Sequence, residues 1–137
     1  MNSFHMQRLA ILITTLLIVT ISWAVYMVNV GQQHLLIDFV RDLPHGDKVG
    51  HFLLFGLLAL FLNLALRFRC ISVARISLPV ASLLVCGVAV SEEISQIYLP
   101  TRSFDLMDIA ADFAGITFFT LLGWIPVAIH RRVRTPK

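Results

Sequence analysis

The sequence predicts an all-α membrane protein with four transmembrane helices. Both termini are expected on the cytoplasmic side, with a short amphipathic helix on the outer surface between spans one and two. Three observations carry that expectation. Apolar types make up 58% of the 137 residues, and Asp, Glu, Lys and Arg only 14%; a soluble domain carries roughly 25% charged residues. Four apolar stretches are each long enough to cross a hydrocarbon core of about 30 Å. The basic residues gather mostly at one set of stretch ends, as a fixed orientation requires. The length allows a single domain, 1–137. The same composition excludes a disordered chain, a collagen-like repeat, a coiled coil and a disulfide scaffold.

Span one, Leu9–Val30, is 22 residues without a charge. Ser22-Trp23-Ala24 has the small-residue character of a signal cleavage site, but the apolar run continues to Val30, so an uncleaved helix is expected. In the following connection, His34, Asp38, Arg41, Asp42 and His45 recur at helical offsets. Leu36, Phe39, Val40 and Leu43 fill the opposite face. This is the predicted surface helix, ended by Pro44 and Gly46. Span two, Val49–Leu66, is interrupted by His51 and Asn63; span three, Ser77–Leu99, contains Glu92, Glu93 and Gln96; span four, Ile109–Ile129, contains Asp112. Runs this long and unalternating read as helices and not as barrel strands. Cys70 sits in a polar connection and Cys86 in an apolar run, which suggests neither a disulfide nor a metal knuckle.

Arg8, Arg67, Arg69, Arg75, Arg131, Arg132, Arg134 and Lys137 fall on one side of the predicted spans, and only Arg41, Lys48 and Arg102 on the other. The positive-inside rule places the first group, and both termini, in the cytoplasm. The net charge of +3 does not imply a nucleic-acid partner, because the bases do not form a solvated patch with aromatics between them. All eight carboxylates lie on the outer side: Asp38, Asp42, Asp47, Glu92, Glu93, Asp105, Asp108 and Asp112. The orientation rule largely ignores acids, so this asymmetry needs another cause.

The outer span ends supply one. Lys48 and His51 are a helical turn apart, as are Glu93 and Gln96, and Asp105, Asp108 and Asp112 share one face of span four. Glu92 stands about 100° from Glu93, so both are not expected to face one centre. At about 1.5 Å per residue, His51 lies roughly 5 Å, Glu93 roughly 8 Å and Asp112 roughly 10 Å from the outer end of its span. One charge at the bilayer centre costs at least ~2.5–3.5 kcal/mol. Ionisable groups at matched depth on three helices therefore predict an inward-facing, water-accessible pocket, in which Lys48, His51 and Arg102 offset the acids. Taken singly, Asp105 reads as an N-cap with Asp108 in the favourable first turn, and Lys48 as a snorkelling base. Asp112 and Glu93 have no such ordinary explanation. Ala111 and Gly115 form a small-xxx-small pair suited to close helix approach.

Asp47-Lys48-x-x-His51-Phe52 opening a helix, then Glu93-x-x-Gln96, Pro100, Arg102-Ser103, Asp108, Asp112 and Gly115, resembles the VanZ-like family of bacterial membrane proteins, named for teicoplanin resistance. The resemblance runs from about Leu43 to Gly123. It implies a multi-pass protein of the bacterial cytoplasmic (inner) membrane within the cell envelope, and it favours Glu93 over Glu92 as the inward-facing acid. It carries no catalytic assignment. Two departures are that Asp112 occupies a position often Asn in the family, and Thr101 one where Gly is common.

Three functions follow as expectations. The first is a protein that binds or acts on an envelope glycolipid or polyprenyl-linked headgroup, with an influence on glycopeptide antibiotic susceptibility. Whether it is an enzyme is left open. In that reading Glu93 is the candidate acid–base, Asp108 or Asp112 its partner and His51 a proton relay, while Asp47, Lys48, Gln96, Arg102 and Asp105 bind substrate. A divalent cation on Asp108, Asp112 and Glu93 is compatible with the donors, though the spacing is not diagnostic. The second is an ion- or proton-coupled transporter subunit. The third is a structural partner of another envelope protein. The bilayer is the one firm partner, and the oligomeric state is left open.

Overall fold

The computed structural model describes residues 3–32, 39, 43–73, 76–100 and 102–134, with backbone only for Ser3, Val73 and 128–134. The elements are α1 (Ser3–Asn29), α2 (Gly46–Ala65), β1 (Cys70–Val73), β2 (Ile76–Pro79), α3 (Val80–Gln96) and α4 (Leu106–Arg134). Three helices are long and apolar enough to cross a membrane: Phe4–Asn29, Gly46–Ala65 and Leu106–Val127. The surface helix expected around His34, Asp38, Arg41 and Asp42 lies almost wholly outside the described residues.

The region of span three departs from expectation in two ways. First, the chain is not purely helical. Cys70–Val73 and Ile76–Pro79 pair as an antiparallel hairpin, with Cys70 opposite Pro79 and Val73 opposite Ile76. The β-branched residues Ile71, Val73 and Ile76 suit strands. Second, the helix starts at Val80, not near Ser77, because Pro79 sits in extended backbone (φ −63°, ψ 125°) as its N-cap. At its other end the chain leaves the helix through three i→i−3 bonds, from Ile97, Tyr98 and Leu99 to Ile94, Ser95 and Gln96, and reaches Pro100. What remains is 17 residues, about 25 Å of helix.

Short connections alternate the helix directions. The ends of α1 and α3 and the starts of α2 and α4 therefore meet at one end of the bundle, and the hairpin lies at the other. At the hairpin end, Gln7 Nε2 donates to the Ala65 carbonyl at 3.0 Å, and Arg67 Nε and Nη2 donate back to Gln7 Oε1 at 3.0 and 2.6 Å. Arg67 holds φ 54° there, the left-handed position usually given to glycine. Phe68 N–H reaches the Asn63 carbonyl and Arg67 N–H that of Leu64, closing α2 in a Schellman motif.

The core joins Ile21 of α1, Phe55, Leu58 and Ala59 of α2, Val85 and Ala89 of α3 and Ile116 of α4. Beyond it, towards the hairpin, Asn63 Nδ2 donates to Ser82 Oγ at 2.8 Å and Thr120 Oγ1 at 3.4 Å, and the two hydroxyls are 2.9 Å apart. These three polar residues tie α2, α3 and α4 together.

α2 and α4 make the most extensive helix contact, and glycine permits it. A Cβ on Gly115 would overlap the Phe52 carbonyl, and one on Gly56 would meet the Gly115 carbonyl and the Phe119 ring. The Gly87 position on α3 faces open space. Gly115→Val is therefore expected to destabilise the detergent-purified protein by about 1–3 kcal/mol through overpacking against backbone. Gly87→Ala should leave it unchanged or raise stability by up to about 1 kcal/mol. Thermal unfolding of both variants checks the pair.

Candidate functional site

The first turns of α2 and α4, the last turn of α3 and the loop before α4 meet at the end away from the hairpin. Each contributes polar groups through ordinary local rules. Asp105 caps α4: its Oδ1 accepts from the Met107 N–H at 2.8 Å, and its carbonyl accepts from the Asp108 N–H at 3.0 Å. Asp108 and Asp112, three and seven residues on, lie on the buried face of the same helix. His45 precedes α2 in left-handed backbone at φ 57°, setting the direction of its first two turns, which carry Asp47, Lys48 and His51.

Lys48 is the hub of the outermost part. Its Nζ donates to Asp47 Oδ2 at 2.9 Å, Asp105 Oδ2 at 2.7 Å and Asp108 Oδ1 at 3.0 Å. The Asp105 carboxyl is held below the ordinary carboxylate range, first by Lys48 and then by the Met107 N–H. Deeper in, His51 Nδ1 lies 3.1 Å from Asp112 Oδ1, and Nε2 lies 3.8 Å from Asp108 Oδ2. The imidazole stacks on Phe55, centroids 5.9 Å apart.

The α3 side is organised by Gln96. Its Nε2 donates to Glu93 Oε2 at 2.8 Å and to Glu92 Oε1 and Oε2 at 3.2 and 3.1 Å. Glu93 also accepts from the Asp105 backbone N–H. Arg102 Nη2 donates to Glu92 Oε1 at 3.3 Å. Burial is graded. Glu93 and Asp112 are 0% exposed, Gln96 2% and Asp108 7%, while the side chains of Lys48, Asp105 and Asp47 are 25%, 40% and 52% exposed.

The structure thus brings Asp47, Lys48, His51, Glu93, Gln96, Arg102, Asp105, Asp108 and Asp112 to one end of the bundle. It also adds Glu92, which helical phase had set apart from Glu93. Gln96 lies four residues from Glu92 and three from Glu93, and long glutamate side chains close the remaining angle. That i+3/i+4 glutamine was the available sign. Asp112 pairs with His51.

The VanZ/LLP1 family profile matches residues 2–127. The chain belongs to the VanZ/LLP1 family. The VanZ/LLP1 match includes α1, which the sequence motifs alone did not cover. The chain is also 34% identical, over 91 residues, to an uncharacterized protein of Schizosaccharomyces pombe; the match covers 65% of this chain and 51% of that relative. It therefore spans about half the length of the curated relative it matches. No solved structure matches the chain.

The electrostatics of the VanZ/LLP1 end give a signed pH dependence. A carboxyl depressed in the folded state contributes stability that is complete above its ordinary value, near 4, and is lost as pH falls through the folded value. Lys48→Met removes the cause of that depression for Asp105. Its thermal stability should fall furthest below wild type at neutral pH, and the gap should narrow below about pH 4 as carboxylates protonate. A gap independent of pH would contradict the ion-pair account.

Proposed function

We propose that this VanZ-family protein receives the headgroup of an envelope glycolipid or polyprenyl-linked lipid in the polar pocket, and so influences glycopeptide antibiotic susceptibility. The supporting observation is the ordering of charge with depth. The most buried groups, Glu93 and Asp112, are hydrogen-bond acceptors, while the bases Lys48 and Arg102 are partly exposed. Sugar hydroxyls donate to carboxylates. Phosphate pairs with ammonium and guanidinium groups. A glycosylated phosphate entering from the headgroup region would meet Lys48 and Arg102 first and the acids next. If the pocket also carries out chemistry, Glu93 is the candidate acid–base, with Asp108, Asp112 and His51 beside it and Asp47, Gln96 and Asp105 at its walls.

The core supports a pocket over a conduit. Phe55, Leu58, Ala59, Val85, Ala89 and Ile116 pack between the charged end and the Asn63–Ser82–Thr120 cluster. A transporter would need a polar route through that layer, and flux in proteoliposomes would reveal one. A purely structural network predicts instead that variants lose folding. Glu93→Gln, Asp108→Asn and Arg102→Ala are each expected to abolish protein-dependent glycopeptide tolerance at wild-type expression. Glu93→Gln should keep a cooperative unfolding transition in detergent, and mass spectrometry should find a headgroup-bearing lipid with the wild type but not with Glu93→Gln. Unchanged tolerance in all three variants would end this reading.

In this reading the membrane is the bacterial cytoplasmic membrane, the charged end faces outward, both termini are cytoplasmic, and all four helices are buried in the bilayer. Exposed Cys70 in β1 then lies on the inner side. A membrane-impermeant thiol reagent should label it only after the inner face is opened. Labelling of intact cells would reverse the orientation.

A further inference from the structure

We infer that His51, Glu92 and Glu93 form a binding site for a first-row divalent cation, Zn2+ or Mn2+, with Asp112 orienting the histidine. The site shares the pocket of the headgroup reading but does not depend on it.

Two groups of three donors at this end have ligand atoms within 4.8 Å of one another: Asp47, Asp105 and Asp108, and His51, Glu92 and Glu93. The first group already holds a cation of the chain's own, the Lys48 ammonium, at 2.7–3.0 Å from each acid. The second is built alike but lacks a central cation among the described residues. Its one Arg or Lys contact among the described residues is Arg102, 3.3 Å from Glu92. Glu93, fully buried, is met by the neutral Gln96 amide and a backbone N–H.

The surroundings suit a metal and not a mere surplus of acid. Asp112 occupies His51 at Nδ1, 3.1 Å away, which leaves Nε2 as the nitrogen able to ligate. A carboxylate behind a ligating imidazole is the usual support of such a site. The second Asp112 oxygen is buried beside the cluster without a hydrogen-bond partner among the described residues. Gln96 fixes both glutamates at once. One imidazole with two carboxylates favours zinc or manganese over calcium or magnesium, whose sites are built from oxygen donors. A bound dication would also let an acid-rich pocket accept a phosphate.

The test uses the full chain in detergent, stripped with chelator, dialysed against Zn2+ or Mn2+, and measured for retained metal and thermal stability. Wild type should retain close to one ion per chain and unfold at higher temperature with metal. His51→Ala and Glu92→Gln should lose the ion and the shift. Asp112→Asn should weaken binding about 10–100-fold. Gly87→Ala, which faces open space on α3, should bind as wild type. Glu92→Gln carries the test should His51→Ala fail to fold. No stoichiometric ion in wild type, or wild-type retention by Glu92→Gln, overturns the site. Either result leaves the lipid and tolerance measurements of the headgroup reading untouched.

Discussion

The Lys48 ammonium bonds carboxylates from its own helix, from the loop before α4 and from the first turn of α4. An unpaired charge in a low-dielectric bundle is costly, so α2 and α4 can be adjacent at this end only if the acids of one meet a base of the other. Glycine contact between Gly115 and Phe52 brings the backbones close enough for a lysine to span the gap. The two features depend on each other. Close backbones without Lys48 would crowd Asp105 and Asp108 without a counter-charge, and Lys48 without the glycines would not reach.

Much of this end was legible in the sequence because its signals are local. The turn spacing of Lys48 and His51, and the shared face of Asp105, Asp108 and Asp112, follow from helix geometry alone. So does the Gly115 contact. Glu92 was misread because phase describes where a Cα–Cβ bond points, not where a three-torsion side chain ends. The hairpin was missed for a different reason. Arg69, Ser72 and Arg75 make 67–76 read as a polar connection, and the apolar residues after Ser77 read as the start of span three, so only Pro79 marks the true boundary. The His51–Asp112 pairing joins residues 61 apart, which no local pattern specifies.

The interior has two polar levels with an apolar layer between them. Neutral hydrogen bonds join Asn63, Ser82 and Thr120 on one side, while ionisable groups occupy the other. The neutral level fixes helix registry at little electrostatic cost. This leaves the charged level free to vary in protonation or ligand without loosening the far end. Gln7 and Arg67 fasten that far end further, tying α1 to the cap of α2.

In the headgroup reading, where α3 lies in the bilayer, its 17 residues would bear on the lipid as well as on the protein. Beside a helix of about 25 Å, a hydrocarbon layer of about 30 Å would be too thick, and such mismatch would be relieved by local thinning of the bilayer. Glu92 and Glu93 stand at the end of that helix. A dimple on this flank would draw phosphates and interfacial water down to the carboxylates, so the pocket of that reading would not need to open fully beyond the membrane to be reached. Access would then come sideways from the lipid leaflet, and bilayer thickness would become a variable that tunes it.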